Sequence, residues 1–360
     1  MEFGLSAEQT LLKDSVDHYL CERAPLDRVR RFADLKEGRA TDLQAGLTEL
    51  GVTALMIPES LGGVGLGALE ACLVAETLGY RVTPVAYIAN SVLVPNALLM
   101  AGSPAQQGHW LSDIASGKIV VGAALSELCG ARNGATISVS AGKLSGRALF
   151  VLDFDADAYL IADSTRGLHL VLAKAAGLKR VPLETIDRTR SVGELLFDNV
   201  EAEPLVGANA EICRRLLDLG RAVLAADTLG AAQCMLDQAV AYAGQREQFG
   251  RVIASFQAVK HMCAEMAASL EPNRAMVWYA GHALCEGHDD AHLIACHAKA
   301  NLDEVGRFVA KTATEVHGGM GFTDLLGLHF WFKRIGMNRQ LLGSPERLRI
   351  EAARAQGLVA

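Results

Sequence analysis

A change of rhythm limits how this chain can fold more than any other feature. From Lys118 to Val206 the sequence runs in short β-like stretches, and on both sides it runs in long helical ones. The stretches are Ile119–Leu125, Ala135–Ser140, Ala148–Leu152, Ala158–Ala162, Leu168–Leu172 and Glu194–Phe197, with Gly, Asp and Asn between them. Strands so spaced predict a small antiparallel barrel or sandwich. Strands and helices do not alternate, so a doubly wound nucleotide-binding sheet is not expected. No GxGxxG loop precedes a helix either. At 360 residues the chain has room for two or three domains. The segments predicted are 1–117 (helical), 118–206 (β) and 207–360 (helical).

Local signals mark several helix ends. Ser6 with Gln9 predicts a capping box, and Leu12, Val16 and Tyr19 continue on one face. Leu66, Leu69 and Leu73 form a second stripe, with Gly79 as its stop. Pro84 to Leu99 is apolar enough for a buried helix, while Pro272 interrupts a later helix or marks a short connection. Hydrophobic residues make up 51% of the chain, a surplus that fits helices buried on several sides, as at a subunit interface. No stretch reaches the roughly 20 apolar residues of a membrane span, and no secretory pattern opens the sequence. A net charge of −7 without a basic tract argues against a nucleic-acid partner. The eight cysteines are scattered with no CxxC pair, which predicts a reducing, cytoplasmic setting and neither a metal site nor a disulfide frame.

One run carries chemistry. In Arg246-Glu-Gln-Phe-Gly-Arg-Val-Ile-Ala-Ser-Phe-Gln257, Arg246 offers a planar fork of donors for phosphate oxygens. Phe249 offers a face for a ring, Gly250 lets the backbone turn, and Gln257 can hydrogen-bond a ribose or adenine. The set suits a diphosphate-bearing cofactor, although the same residues also describe a helix end with a surface arginine. Two further motifs accompany it: Leu50-Gly-Val-Thr-Ala-Leu-Met-Ile-Pro-Glu59 with Gly62-Gly-Val-Gly-Leu-Gly67, and Val316-His-Gly-Gly-Met-Gly-Phe-Thr323. Together with the opening Met1–Thr10, these resemble the acyl-CoA dehydrogenase family in order and spacing over nearly the whole chain.

The resemblance implies a fold of N-terminal helical domain, central antiparallel β-barrel and C-terminal four-helix bundle, with FAD as cofactor. It places Arg246, Phe249 and Gln257 on the adenine-diphosphate half of an FAD held by a neighbouring subunit. Gly318 and Gly319 would let backbone approach the same cofactor, and Glu315 stands where the family often has glutamine. The family's barrel loop falls at Ser126-Glu-Leu-Cys-Gly130, where Ser126 keeps a hydroxyl for the flavin ring. The segment covering the flavin aligns with Phe150-Val-Leu152, where Phe150 keeps an aromatic but Leu152 replaces a hydroxyl.

The family's reaction needs a carboxylate base to take the α-proton while the β-hydrogen leaves as hydride to the flavin. Leu342 occupies the usual late base position, and Gly220 the alternative one on an earlier helix. Asp218 is about 200° of helix away from Gly220. Asp227, two turns on, is the remaining catalytic candidate, set against its bland reading as a residue bonded to a neighbouring helix or to Arg221. The other charged clusters read as structural: Asp187 to Arg190 as surface or interdomain pairs, Ser344-Pro345 as a helix start, and His329 with Lys333 as a polar edge.

Two functions follow from the resemblance. One is an FAD-dependent acyl-CoA dehydrogenase oxidising the α–β bond of a CoA thioester. The other is a non-catalytic partner subunit in a heterotetramer with a catalytic chain, contributing half of the FAD site. Flavin monooxygenation has no positive sign here. Either function implies an acyl-CoA substrate, a homo-oligomer or mixed oligomer, and an electron-accepting flavoprotein as partner.

Overall fold

A computed structural model describes residues 4–130 and 135–359. Ser6 caps α1 (Ala7–Arg23), with both halves of the Ser6/Gln9 box formed. Four helices follow: α2 (Leu26–Leu35), α3 (Thr41–Glu49), α4 (Ala68–Tyr80) and, after a gap, α5 (Val94–Ala101). Then comes α6 (Pro104–Ala115), opened by a second capping box at Ser103. The helix expected over 84–99 starts later and differently, as a buried π-helical segment, Ile88–Leu93, running into α5. Pro95 in the first turn of α5 has no N–H to give, and the wider upstream turn, in which Val94 bonds Ala89, accommodates that loss.

The chain forms two compact units. One comprises Phe32–Ala71 and Pro84–Gly220; the other comprises the N-terminal stretch to Arg31, Cys72–Thr83 and everything from Arg221.

The first unit holds the sheet: β1 (Val121–Ala124), β2 (Ile137–Ser140), β3 (Lys143–Leu152), β4 (Ala158–Ala162), β5 (Leu168–Leu172), β6 (Leu178–Pro182), β7 (Val192–Glu201) and β8 (Glu203–Pro204). Its order is β6-β7-β3-β1-β4-β5-β8, with β2 on β3. It departs from the expected antiparallel barrel in two ways. The path is open between β6 and β8, and β1 pairs with β4 in parallel, Val121 opposite Ala158. Residues 153–157 carry the chain across the end of β1, so that β4 lands on its far side. That crossing lies against Gly122, where an added Cβ would sit 2.7 Å from the Asp153 carbonyl oxygen. Strand β6 carries no sequence signal because it is an edge strand, Lys179 and Arg180 included, with only β7 beside it. Ile137, Leu144, Tyr159, Leu195 and Val200 fill the core over this sheet. Of the pair expected to make surface or interdomain contacts, Asp187 is buried here and Arg190 half-buried, with Thr189 bonding the Asp187 carboxylate through its N–H (2.8 Å) and hydroxyl (2.6 Å).

In the second unit, α7 (Ala210–Gln245, from Arg221 on) lies beside the end of α4. Helix α4 ends one residue beyond the expected stop at Gly79, and that glycine has a second job. A Cβ there would be 2.0 Å from the carbonyl oxygen of Asp227, and one on Gly230 would be 1.8 Å from that of Glu76. The two backbones touch at a pair of glycines. After α7 come a two-stranded hairpin, β9 (Glu247–Gln248) with β10 (Arg251–Val252), then α8 (Gln257–Glu286), α9 (Ala291–His317), α10 (Leu328–Asn338) and α11 (Pro345–Ala355). The bundle expected to have four helices therefore has five after residue 207, the last two short. Pro272 does not break α8. It sits on the exposed face, where the carbonyl it leaves unpaired meets water, and Asn273 donates to the Ser269 carbonyl (2.8 Å) just upstream.

Candidate functional site

The hairpin after α7 displays the residues that the motif singles out. Ile253 N–H donates to the Arg246 carbonyl (2.7 Å) and closes the hairpin. Its two tip residues both take left-handed backbone, Phe249 at φ 54° and Gly250 at φ 74°. This is the two-residue turn that matches strand twist, and it normally favours Asn-Gly. A phenylalanine there is strained, and its side chain is 92% exposed. Below it, Phe256 meets Phe249 edge-on at 6.1 Å and carries the Arg251 guanidinium 4.0 Å over its ring. Among the described residues Arg246 has no ion-pair or hydrogen-bond partner for its exposed guanidinium. Gln257, the first residue of α8, is exposed as well.

The second glycine segment ends α9. Gly318 adopts φ 57°, ψ −137°, and leads into a short 3-10 turn, Gly318–Phe322. An added Cβ on Gly318 or Gly319 would meet nothing within 4 Å, so this backbone is open to close approach. Gly321, in contrast, packs against Thr314. The helix-end reading of this segment and the open-backbone reading therefore both hold. His317 is buried, bonds the Ala313 carbonyl through Nδ1 (2.7 Å), and stacks on Tyr242 of α7 at 4.6 Å. Burial pushes its pKa below the usual histidine value, against the smaller opposite pull of that hydrogen bond. Glu315 is exposed and lies 3.7 Å from Lys311 one turn back, which partly offsets its charge.

In the other unit, the loop after β1 forms a 3-10 turn, Ser126–Cys129, ended by Gly130 at φ 58°. The Ser126 hydroxyl is shielded from water with no partner among the described residues, as is Glu127 Oε1. Burial raises the Glu127 pKa, partly offset by a bond from the Ile137 N–H. Phe150 sits at φ 50° where the β3–β7 register slips between Ala148 and Val151, so a bulge re-aims it. Residues 131–134, which continue this loop, lie outside the described residues, as does the Met1–Phe3 opening.

Of the two readings of Asp227, base or residue bonded to a neighbouring helix, the geometry fits the second. Its Oδ1 accepts from Arg334 Nε (3.0 Å) and Asn338 Nδ2 (2.7 Å), and its Oδ2 accepts from Arg334 Nη2 (2.8 Å). Asp227 and Arg334 are each 2% exposed. Arg334 also reaches the Thr83 carbonyl (3.0 Å), and Asn338 reaches the Thr228 hydroxyl (3.0 Å). A buried carboxylate paired on both oxygens with an arginine ties α7 to α10, and taking up a substrate proton would cost it that ion pair. Its partner is Arg334 rather than Arg221. Nothing in the sequence pattern around either residue marks this pairing, which spans 107 positions.

Arg221 serves the late base position. Fully buried, it donates from Nε to the carbonyl of Leu342 (3.0 Å). That turn is bent by Leu342 at φ 53° and Gly343 at φ 110°. The carboxylate that does reach Arg221, Glu351 at 2.8 Å, is also held by Arg347 (3.1 Å). In the other unit Gly220 is buried in α7, and Asp218 meets Arg214 at 3.3 Å. His329, expected on a polar edge, pairs with Asp324; of its aromatic neighbours, Phe330 and Trp331 are buried and Phe332 is partly exposed.

These observations define a helical–β–helical chain with two glycine segments and with Gly220 and Leu342 in place of a carboxylate at the expected base positions. The profile described as "Acyl-CoA dehydrogenase, N-terminal domain" matches residues 6–118, and that described as "Acyl-CoA dehydrogenase, C-terminal domain" matches 210–357. The chain belongs to the acyl-CoA dehydrogenase family. It is 30% identical to acyl-CoA dehydrogenase IpdE2 of Mycolicibacterium smegmatis, covering 96% of this chain and 98% of that one. It is 29% identical to IpdE2 of Mycobacterium tuberculosis, covering 95% of each. Among solved structures, the ChsE4–ChsE5 complex from Mycobacterium tuberculosis superposes with a TM-score of 0.92 at 27% identity, covering all of both chains. The Tcur3481–Tcur3483 steroid acyl-CoA dehydrogenase G363A variant superposes at 0.89 and 28% identity, covering 97% of this chain and 98% of that one. Among the described residues no helix is long and apolar enough to cross a membrane.

Proposed function

We propose that this chain is a non-catalytic partner subunit of a mixed acyl-CoA dehydrogenase assembly, in which it contributes half of an FAD site to a companion chain that carries the base. The observation that carries this reading is the clamp on Asp227 by Arg334 and Asn338. With Gly220 and Leu342 at the family's base positions, no carboxylate is left there to take a substrate proton.

The residues present fit the adenine-diphosphate half of FAD. Arg246 is unpaired and can fork onto phosphate oxygens. Phe249 is held out at a strained tip, where its ring gains area only against something outside this chain. Gly318 and Gly319 leave backbone open to a close-lying group. Bound FAD supplies the hydride acceptor of the family's reaction. This chain's part is to hold and orient the cofactor, and the α-proton goes to a carboxylate of the companion. Two of the structural relatives are complexes of two named chains, which supports a mixed assembly acting on a CoA thioester. Electron transfer to a separate flavoprotein fits the resemblance to the CarC subunit of the caffeyl-CoA reductase–Etf complex of Acetobacterium woodii. The eight free cysteines suit a reducing, cytoplasmic setting.

A second reading, a dehydrogenase active as the lone chain, draws on one observation. The Ser126 hydroxyl, shielded and without a partner among the described residues, leaves a donor that suits a flavin ring of the chain's own. The flavin-to-chain ratio of the protein purified alone, measured after calibrated FAD release, separates the two. A ratio near zero with no bleaching by a panel of acyl-CoA thioesters is expected. A ratio near one with anaerobic bleaching would overturn the partner reading.

A further inference from the structure

The two segments assigned to the cofactor's adenine-diphosphate half lie about 70 residues apart in sequence, yet one contact joins them in the fold. Tyr242 and His317 stack with ring centroids 4.6 Å apart and planes 31° apart. Tyr242 sits one helical turn before Arg246, whose N–H donates to the Tyr242 carbonyl at 2.8 Å. His317 immediately precedes Gly318. Its ring is fixed from below by the Nδ1 bond to Ala313 (2.7 Å), so its orientation is set by α9 rather than by the glycine turn. Resting on the flavin reading above, we propose that Tyr242 and His317 are a positioning couple that sets the spacing between the Arg246 guanidinium and the Gly318–Gly319 backbone.

The physical reason lies in what each segment lacks. Arg246 stands at the junction of a helix and a hairpin of two two-residue strands whose own braces, Phe256 and Arg251, lie on the hairpin side. Gly318 and Gly319 have no side chains with which to fix themselves. A diphosphate that bonds both segments needs them at a fixed separation before it arrives, or it must spend binding energy on ordering them. An aromatic stack between the last turn of α7 and the last residue of α9 supplies that fixed separation while touching no ligand.

The test uses ADP, the adenosine-diphosphate half of FAD, titrated into the purified chain and followed by calorimetry or ligand-observed NMR. The variants are Tyr242→Phe, Tyr242→Ala and Arg246→Ala, each first checked for an unchanged circular dichroism spectrum. The wild type should bind ADP reversibly, too weakly for the lone chain to carry FAD through purification, and Arg246→Ala should abolish that binding. Tyr242→Ala should weaken binding about three- to tenfold, the scale of one lost aromatic pair. Tyr242→Phe, which keeps the ring, should bind within about twofold of wild type on the same scale. Rescue by Phe but not Ala is what a stacking role demands. Loss in Arg246→Ala with full binding in Tyr242→Ala would overturn the couple and leave the flavin reading standing. Equal binding by wild type and Arg246→Ala, or no binding by the wild type, would overturn the flavin reading and the couple with it. Should Tyr242→Ala fail to fold, Tyr242→Leu replaces it, and binding equal to that of Tyr242→Phe would refute the proposal.

Discussion

Replacing Arg334 with alanine should unfold this protein several degrees early, and the reason can be worked from four hydrogen bonds. Arg334 donates three times to Asp227, at 3.0, 3.2 and 2.8 Å, and once to the Thr83 carbonyl at 3.0 Å. Without it, Asp227 loses its counter-charge while Asn338 still donates to it, in a site where it is 2% exposed. Breaking a buried ion pair by removing one partner costs about 3–5 kcal/mol, because the other charge stays buried without its counter-charge. At about 2 cal/mol/K of unfolding entropy per residue over 360 residues, that corresponds to a fall in Tm of about 4–7 °C. Differential scanning calorimetry measures it directly. The double variant Asp227→Ala/Arg334→Ala should cost clearly less than the two single changes added, since each deletion removes the group that the other leaves stranded. A fall of under about 1 °C for Arg334→Ala, far below that scale, would refute the reasoning. So would a lone chain that turns over acyl-CoA and loses activity in Asp227→Asn without losing stability. Asp227 would then be the base after all.

Three other outcomes follow from the same structure. Phe249→Gly should leave the Tm of the lone chain unchanged or slightly raised, because glycine relieves the positive φ at a side chain that is 92% exposed, while ADP binding weakens. Gly79→Ala should destabilise by about 1–3 kcal/mol in urea unfolding, the usual cost of overpacking, because its Cβ meets the backbone carbonyl of Asp227 at 2.0 Å and neither helix can yield at a flexible side chain. His317 has a pKa lowered by burial, so the unfolded chain takes up its proton first as pH falls. Its contribution to stability is thus fully present above the unfolded value of about 6.5 and is lost as pH drops below it. His317→Gln should reduce the difference in Tm between pH 7.5 and 5.5, and an unchanged difference would show that His317 does not carry it.

The helix starts were legible because capping is local. Ser6 and Gln9 lie three residues apart and satisfy each other whatever surrounds them. Strands β1, β4 and β5 were legible for the same reason, since each is a mostly apolar run with four or five consecutive buried residues. Strand β6 was not, because an exposed edge strand needs no apolar face. Helix α4 ends one residue beyond Gly79, where the sequence puts its stop, whereas Pro272 does not interrupt its helix. Local propensity penalises both residues, but a close helix crossing requires the one and a solvent-facing position tolerates the other.

The candidate site divides along the same line. The sequence by itself determined the order helical–β–helical, the residues of the segments proposed for the cofactor at 246–257 and 315–319, and the absence of a carboxylate at 220 and 342, because each is a matter of which residue stands where. Only the tertiary structure decided what Asp227 is. Its neighbours Val223, Leu224, Leu229 and Gly230 promise burial, and a buried lone aspartate makes a good base. Whether it is alone depends on Arg334, more than 100 residues away, and no periodicity records a partner at that distance. The Tyr242–His317 stack and the Arg221–Leu342 bond have the same character. Local pattern fixes which face of a helix is buried, while the fold alone fixes what it is buried against.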